Sequence, residues 1–214
     1  MSLLVNEIFY SIQGESIYSG VPCVFVRLTG CNLRCSYCDT TYAYYEGVEL
    51  TIEEILPRVD NYKCSLIEIT GGEPLLQGDM PLLIDRLLEK KYEVLLETNG
   101  SIDISVVDSR CIKIVDIKCP SSGENDKNDL ENLKRLNQKD QIKFVIGSRE
   151  DYEFAKETTK LISPGFPMRN VLFSPLIEQM HLSQLAEWIL EDRLSVRLQI
   201  QLHKIIWPEK ESGV

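Results

Sequence analysis

The sequence contains little histidine, has no excess of basic charge and has no long apolar run. Its two histidines, His181 and His203, lie far along the chain from three closely spaced cysteines near residue 35. The formal net charge is −10, which argues against a nucleic-acid partner because phosphate binding requires clustered Lys and Arg. No apolar run approaches the roughly 18 residues that span a membrane. We therefore expect a small-molecule ligand, with no nucleic-acid and no membrane partner.

The first residues lack the basic start and the long apolar stretch of a signal peptide. The seven cysteines are an odd number, which does not suit a complete disulfide framework. Both features predict a cytoplasmic protein with reduced thiols. A length of 214 residues suits one domain with a substantial core, so we predict a single domain over residues 1–214.

The chain alternates short apolar runs, rich in β-branched residues, with amphipathic helical stretches. Such runs suit a parallel sheet that is buried on both faces. Strand–helix units that number about six are too few for the closed eight-unit barrel. We predict an α/β fold, an open partial (β/α) barrel of about six parallel strands with an extra N-terminal strand at 3–10. The other predicted strands are 22–28, 65–70, 92–98, 111–118, 141–146, 170–173 and 195–201.

Helix start signals separate these runs. Thr51 and Glu54 form a capping-box pattern. Asp79 is a candidate cap for a helix over 80–91, and Ser148 is one for a helix that reaches residue 160. A further helix is predicted over 183–191. The polar segment 120–129 contains few apolar residues and is predicted to be a mobile loop.

Cys31, Cys35 and Cys38 form a C-x3-C-x2-C pattern, with the aromatic Tyr37 directly before the last cysteine. A closed structural zinc site needs four protein ligands, whereas a [4Fe–4S] cluster can be held by three thiolates that leave one iron open. A zinc site with a histidine as fourth ligand stays an alternative. The pattern resembles the cluster motif of the radical S-adenosylmethionine (SAM) enzymes. This resemblance implies that the amino and carboxylate groups of SAM bind the open iron.

Further candidates follow the predicted strands, at the end of the sheet where (β/α) folds place functional groups. In Gly71-Gly72-Glu73-Pro74 the two glycines would let a ligand approach the backbone closely. In radical SAM enzymes this motif contacts the amino group of SAM. Thr98-Asn99-Gly100 follows the next strand, and a simple turn is the alternative for both motifs.

Asp116 and Lys118 are two positions apart near the end of the predicted strand 111–118, so their side chains lie on the same face of the sheet. They are either a structural ion pair or functional groups. The expected SAM-binding residues are Tyr37, Gly71, Gly72, Glu73, Thr98, Asn99, Lys118 and Ser121.

The substrate side of the site is predicted from the N-terminal run. Gln13 and Glu15 stand just beyond a strand, and an amide with a carboxylate can hydrogen-bond the edge of a purine-like or pterin-like ring. Arg27 can clamp a carboxylate with two hydrogen bonds. His203 is a further candidate, although a surface or core histidine is nearly as common.

The whole chain resembles the 7-carboxy-7-deazaguanine synthase family. The matching segments are Phe9-Tyr-Ser-Ile-Gln-Gly-Glu15, Arg27-Leu-Thr-Gly-Cys-Asn-Leu33, Cys35-x-x-Cys-Asp-Thr40, Gly71-Gly-Glu-Pro74, Glu97-Thr-Asn-Gly100, Asp116-Ile-Lys-Cys-Pro-Ser-Ser122, Lys143-Phe144, Ser174-Pro175 and Gln201-Leu-His-Lys204. The cysteine pattern identifies the superfamily only. Its combination with Tyr-Ser-Ile-Gln-Gly-Glu in a short chain is much more specific.

This resemblance implies a lyase of queuosine and deazapurine biosynthesis. Such an enzyme converts 6-carboxy-5,6,7,8-tetrahydropterin to 7-carboxy-7-deazaguanine by ring contraction with loss of ammonia. It implies a [4Fe–4S] cluster, SAM and Mg²⁺, with Thr40 preferred over the neighbouring Asp39 as a magnesium ligand. It also implies a homodimer and an electron donor such as flavodoxin or ferredoxin.

Two other functions stay open at this point. A glycyl-radical enzyme activase shares the cysteine spacing and a small partial barrel, but acts on a protein. A non-catalytic iron–sulfur or zinc binding module is the alternative of another class.

Overall fold

The protein, described here at residues 1–210 and 212–214 by a computed structural model, is built around one nine-stranded sheet. Its strands are β1 (Ser2–Ile12), β2 (Pro22–Leu28), β3 (Val48–Thr51), β4 (Leu66–Gly71), β5 (Glu93–Thr98), β6 (Ile112–Ile117), β7 (Gln141–Ile146), β8 (Val171–Pro175) and β9 (Arg197–Leu198). They run in the order β3-β1-β2-β4-β5-β6-β7-β8-β9. All neighbours from β2 to β9 are parallel, and β1 pairs antiparallel with β2 and β3. The predicted open α/β fold with an extra N-terminal strand is confirmed.

Two strands differ from the sequence prediction. The prediction omits β3, a four-residue strand at the edge of the sheet whose first two residues are exposed. The predicted strand 195–201 is wrong in extent, since β9 covers only two residues. Beyond Leu198 the chain turns toward the loop that follows β1, where the Leu202 amide donates to the Gly14 carbonyl at 2.8 Å.

Six α-helices connect or follow the strands in the described part of the chain. They are α1 (Ile52–Asp60), α2 (Met80–Glu89), α3 (Asn132–Arg135), α4 (Arg149–Thr158), α5 (Leu182–Glu191) and α6 (Leu202–Ile206). The capping box of Thr51 and Glu54 is present at the start of α1. The Ser148 hydroxyl caps α4 by accepting from the Asp151 amide. Asp79, by contrast, does not cap α2, because its carboxylate accepts from the backbone N–H of Ser2 at 3.1 Å.

Helices α1, α2, α4 and α5 cover the outer face of the sheet. There Ile55 of α1 and Leu83 of α2 pack in one buried cluster, and Tyr152 of α4 packs with Leu185 of α5 in a second. The inner face carries a smaller apolar cluster of Phe9, Cys23, Phe25, Leu66, Leu95, Ile112 and Ile114. The carboxyl ends of the parallel strands lie beyond this cluster and remain available for polar groups.

The loop that follows β1 crosses the opening between the two ends of the curved sheet. The Ser16 amide donates to Oε1 of Gln199 at 2.7 Å, just after β9. The Ile17 amide donates to Oε1 of Gln141 in β7 at 2.8 Å. Loop 13–18 therefore ties the N-terminal strand to the far side of the sheet, and we call it the bridging loop.

Segment 120–129 is more structured than the predicted mobile loop. It contains two short 3-10 helices, Pro120–Ser122 and Asn125–Lys127. The Asn128 side chain donates to the Lys118 carbonyl and accepts from the Lys118 amide, both at 2.9 Å. These contacts fix the segment beside the end of β6. Within the described residues, none of the helices combines the length and the apolar character that a membrane crossing requires.

Candidate active site

A cavity of about 710 Å³ opens at the carboxyl ends of the parallel strands. Its wall combines the cysteine loop, the bridging loop, residues of seven strands and the segment that contains α6. Most of the residues predicted to bind cofactor or substrate line this cavity: Gln13, Glu15, Arg27, Cys31, Cys35, Tyr37, Cys38, Thr40, Gly71, Gly72, Thr98, Asn99, Lys118 and His203. The folded chain thus places the predicted cluster, SAM and substrate residues around one space.

The three thiols of the cysteine loop all face the cavity and are half-buried. The Leu33 amide donates to Sγ of Cys31 at 3.4 Å, and Nδ2 of Asn99 donates to the same sulfur at 3.8 Å. Such N–H donors suit a sulfur that carries negative charge as an iron ligand. Within the described residues, no three His, Cys, Asp or Glu side chains converge on a single-ion site. A [4Fe–4S] cubane binds each thiolate at a different iron. It therefore suits cysteine sulfurs that lie farther apart than the ligands of a single metal ion.

The Gly-Gly-Glu-Pro loop supports the cysteine loop directly. The Glu73 amide donates to the Gly30 carbonyl at 2.7 Å. A Cβ atom on Gly72 would lie 2.1 Å from that same carbonyl oxygen and 2.8 Å from Cβ of Cys31. Gly72 is therefore required for the contact between two loops, as well as for any approach of a ligand.

Glu73 differs from the SAM ligand that the sequence predicts. It is fully buried and is absent from the cavity wall. Its carboxylate accepts from the Asn99 amide at 2.6 Å, the Thr98 hydroxyl at 2.8 Å and the Leu75 amide at 3.0 Å. Both oxygens are thus used within the protein, and Glu73 positions the ends of β4 and β5. Ser121 also lies off the cavity wall, where its amide donates to Asp151 at 2.8 Å.

Lys118 and Asp116 form a close pair in the cavity wall, with Nζ 2.9 Å from Oδ2. Burial alone would raise the pKa of Asp116, but Lys118 and Lys143 hold it below its ordinary value. Oδ1 of Asp116 and the hydroxyl of Tyr37 are buried without a hydrogen-bond partner among the described residues. Two such unsatisfied polar atoms in a cavity wall fit a polar ligand between the cysteine loop and β6.

The side chains of Gln13 and Glu15 make more hydrogen bonds within the protein than the sequence indicates. Nε2 of Gln13 donates to Glu68, and its Oε1 accepts from the Glu15 amide at 2.7 Å. The Glu15 carboxylate accepts from Nζ of Lys143 at 2.9 Å and from Nε2 of Gln201 at 2.7 Å. Both side chains face the cavity, and these internal contacts fix the orientation of the Gln13 amide and the Glu15 carboxylate.

The Arg27 guanidinium likewise uses one of its hydrogen-bond donors within the protein. Its Nε donates to Oε1 of Glu7 at 2.8 Å, and its guanidinium lies 5.7 Å from the ring centroids of both Phe9 and Tyr42. Neither terminal nitrogen makes a hydrogen bond within the described part of the chain. The outer edge of the guanidinium therefore remains free for an anion.

The C-terminal segment supplies the opposite wall. A Cβ atom on Gly14 would lie 2.0 Å from Nδ1 of His203, so the imidazole packs directly on the bridging loop. Burial lowers the pKa of His203, although Glu15 opposes the shift. The Thr40 hydroxyl faces the cavity and donates to Oδ1 of Asp39 at 3.0 Å. Its neighbour Asp39 pairs with Lys204 at 3.0 Å.

Sequence reasoning assigned no role to three charged residues on the cavity floor. Lys143 of β7 lies 3.4 Å from Asp116 and also contacts Glu97 of β5. Glu68 of β4 holds the Gln13 amide. For Glu68 and Lys143 the signal in the sequence is a single charge inside a mainly apolar strand, as in Leu66-Ile-Glu-Ile69 and Gln141-Ile-Lys-Phe144. Such a charge is costly to bury and therefore indicates a polar site.

Comparisons with known proteins agree with this geometry. A Radical SAM superfamily model matches residues 25–118. The chain is 43% identical to the 7-carboxy-7-deazaguanine synthase of Koribacter versatilis, over 98% of the chain and 99% of that protein. It is 45% identical to the enzyme of the same name from Chlorobaculum tepidum, over 99% and 97%. The crystal structure of QueE from Escherichia coli has the same fold, with a TM-score of 0.79, 23% identity and 95% coverage of both chains.

Proposed function

Since the chain belongs to the 7-carboxy-7-deazaguanine synthase family of radical SAM enzymes, we propose that it performs the whole reaction of that family. In this proposal 6-carboxy-5,6,7,8-tetrahydropterin enters the cavity and leaves as 7-carboxy-7-deazaguanine, with loss of ammonia. The observation that carries the proposal is the shared cavity. One wall presents Cys31, Cys35 and Cys38, and the facing walls present the cation Arg27 and a floor of fixed carboxyl groups. The alternative of a binding module without catalysis does not explain that floor.

The cysteine loop would hold the [4Fe–4S] cluster, and SAM would occupy the space between this loop and β6. When bound, the two supply one-electron chemistry that begins with removal of a hydrogen atom from the substrate. The proposed SAM contacts are Tyr37, Gly71, Gly72, Thr98, Asn99 and Lys118. Glu73 and Ser121 support this wall from behind. The protein's own task is to fix the substrate beside SAM and to exclude water.

The floor and the C-terminal segment would bind the substrate. The free edge of Arg27 would pair with the substrate carboxylate, because two parallel N–H donors match two carboxylate oxygens. Glu15 is already ionised beside Lys143 and would accept from ring N–H groups. The neutral imidazole of His203 can donate or accept one hydrogen bond. These contacts together select a flat heterocycle that carries an acidic group.

We further propose that Thr40 is a magnesium ligand. Its hydroxyl follows the cysteine loop and faces the cavity, and Mg²⁺ prefers oxygen ligands from one or two protein groups together with substrate oxygens. Thr40→Ala should then reduce the response of turnover to added magnesium while SAM cleavage persists. A wild-type rate that is unaffected by both chelator and magnesium would reject this role.

The homodimer and electron transfer from flavodoxin or ferredoxin rest on the family resemblance. One functional domain over residues 1–214 remains the prediction from the length of the chain. A cytoplasmic location remains the prediction from the N-terminal residues and the cysteine count. Sedimentation of the anaerobic holoenzyme would measure its oligomeric state.

The decisive experiment is anaerobic reconstitution with iron and sulfide, followed by incubation with SAM, dithionite and the carboxy-tetrahydropterin. We expect 7-carboxy-7-deazaguanine as the product, detected by mass spectrometry. A glycyl-radical activase would cleave SAM without forming this product. A binding module would neither cleave SAM nor convert the pterin, and either result would reject the proposal.

A further inference from the structure

Glu68 occupies an unusual position on the cavity floor. It lies midway along β4, where the sheet register places it beside Phe25 of β2 and Leu95 of β5. Only 3% of the residue is exposed, yet it forms part of the cavity wall. Its Oε2 accepts from Nε2 of Gln13, and its Oε1 has no hydrogen-bond partner within the described residues. A single carboxyl oxygen is therefore left for a ligand, in a largely apolar row.

The other carboxylates of the floor have a cationic partner, and Glu68 does not. Lys143 lies within 4.0 Å of Glu15, Glu97 and Asp116. Among the described residues no Lys, Arg or His nitrogen lies that close to Glu68. A carboxylate that leaves water without a cation or several N–H donors is strongly disfavoured relative to its neutral acid.

The acidic groups around Glu68 raise its pKa in the same direction as burial does. The titratable and charged groups that face it are Glu15 of the bridging loop, Cys23 and Arg27 of β2, Glu97 of β5 and Lys143 of β7. Burial raises the pKa of Glu68 well above its usual range, and the negative charges of Glu97 and Glu15 raise it further. Lys143 and Arg27 oppose this shift but do not reverse it.

A neutral carboxyl group differs from a carboxylate in what it offers a ligand. A carboxylate only accepts hydrogen bonds, whereas the acid has one O–H donor. Since Oε2 already accepts from Gln13, the proton belongs on Oε1, the oxygen without a hydrogen-bond partner among the described residues. An acid kept neutral by an apolar site can serve as a hydrogen-bond donor at neutral pH.

We propose that Glu68 binds the substrate as a neutral carboxylic acid and donates a hydrogen bond from Oε1 to an acceptor atom of the substrate ring. Glu68 would thereby select a ring that presents an oxo group or an unprotonated ring nitrogen at the cavity floor. A ring with an amino group at the same place would be rejected, since two donors would face each other. This inference rests on the proposed function for the identity of the ligand as a pterin.

The test is substrate affinity as a function of pH. Anaerobic calorimetry would measure binding of 6-carboxy-5,6,7,8-tetrahydropterin to the holoenzyme with SAM and without reductant, for wild type, Glu68→Gln and Glu68→Leu. Glutamine keeps a donor of similar size, so Glu68→Gln should bind within about threefold of wild type at neutral pH. Leucine keeps the volume without the donor and should weaken binding by about tenfold to a hundredfold, as expected when a buried polar contact is lost.

The pH profile separates a neutral acid from a structural role. Wild-type affinity should fall at alkaline pH as Glu68 ionises, and Glu68→Gln should lack that fall. A second readout is the infrared carbonyl band of a protonated carboxylic acid, which should be present at pH 7 in wild type and absent in Glu68→Gln. The matched control is Glu93→Gln, at an exposed acid that begins β5, which should keep both the alkaline fall and the band.

The outcomes are distinguishable. If wild type converts the pterin but Glu68→Gln shows the same pH profile, or binds more than about tenfold weaker at neutral pH, the Glu68 inference alone is overturned. If Glu68→Leu binds as wild type does, Glu68 does not touch the substrate. If wild type neither binds nor converts the pterin, the proposed function fails and this inference fails with it.

Discussion

Lys143 and Glu15, 128 positions apart in the sequence, form a buried ion pair in which Nζ lies 2.9 Å from Oε2. Burial alone would raise the pKa of Glu15, but Lys143 and the Gln201 amide hold it below its ordinary value. The pair joins β7 to the bridging loop and fixes a negative charge in the cavity wall. Removing Lys143 would leave the buried Glu15 carboxylate without a cation within 4.0 Å among the described residues, which is far more costly than losing a surface pair.

The first prediction concerns the cluster ligands. Cys31→Ala, Cys35→Ala and Cys38→Ala should each lose most of the bound iron after anaerobic reconstitution, because a cubane needs all three thiolates. SAM cleavage should be lost in the same variants. Iron and sulfide analysis with absorption spectra would measure the first effect. Cys64→Ala, at a half-buried cysteine outside the cavity wall, is the control and should retain the cluster. Full iron content in any of the three variants would show that its thiol is not a ligand.

The second prediction concerns Gly72. Sequence reasoning alone predicts that Gly72→Val blocks SAM and leaves the cluster intact. The structure changes this expectation, because a Cβ there would lie 2.1 Å from the Gly30 carbonyl and 2.8 Å from Cβ of Cys31. Gly72→Val should therefore reduce both iron content and SAM binding.

Gly78→Ala provides the matched control for this position, since its added Cβ would meet nothing within 4 Å. Both variants would be compared by iron analysis and by equilibrium binding of SAM. A Gly72→Val protein with full iron content would contradict the contact between the two loops.

The third prediction separates the two contacts of Arg27. Arg27→Ala should weaken binding of the carboxy-tetrahydropterin strongly, by an amount of about 2–5 kcal/mol if a buried charged contact is lost. Glu7→Gln removes only the carboxylate charge that Nε of Arg27 contacts, and should have a smaller effect. Calorimetric titration of both variants with SAM bound would measure the difference. Equal losses in the two variants would mean that Arg27 acts through its structural pair, and the substrate carboxylate would then bind elsewhere.

The fourth prediction concerns the pH dependence of stability at Glu68. The pKa of this group is higher in the folded protein than in the unfolded chain, so folding takes up a proton. Stability from this group is therefore greatest below the unfolded pKa of about 4.3 and falls as the pH rises toward the folded value. Glutamine does not titrate, so the melting temperature of Glu68→Gln relative to wild type should increase from acid toward alkaline pH. Calorimetric melting curves would measure this difference, and a constant offset across the range would contradict the prediction.

Much of the fold follows from local sequence. The strands at Pro22–Leu28 and Gln141–Ile146 coincide with their predicted bounds, because each is a mainly apolar run with β-branched residues. The edge strand β3 was not predictable in this way, since two of its four residues are exposed. It exists because the antiparallel N-terminal strand offers it a partner, which is a tertiary effect.

The site was predictable where chemistry and spacing coincide, as in the three cysteines. The site was not predictable where the polar groups of a candidate residue form hydrogen bonds with other residues of the chain. Glu73 has the residue type of a ligand, yet it binds three donors of its own chain. Gln13 and Glu15 were correctly placed near the cavity, but their partners lie on strands that are distant in the sequence. Gln13 binds Glu68, 55 positions away, and Glu15 binds Lys143, 128 positions away.

The bridging loop has a consequence for how the protein is made. Its contacts with Gln199 and Gln201 span 183 and 186 positions, so they are among the most non-local contacts that a chain of 214 residues can form. Closing such a long loop costs entropy that no local interaction repays in advance. During synthesis on the ribosome, the early strands can therefore pair long before residues 199–203 emerge. The catalytic cavity should be the last part of the protein to acquire its shape, and a nascent chain should be unable to retain substrate until then.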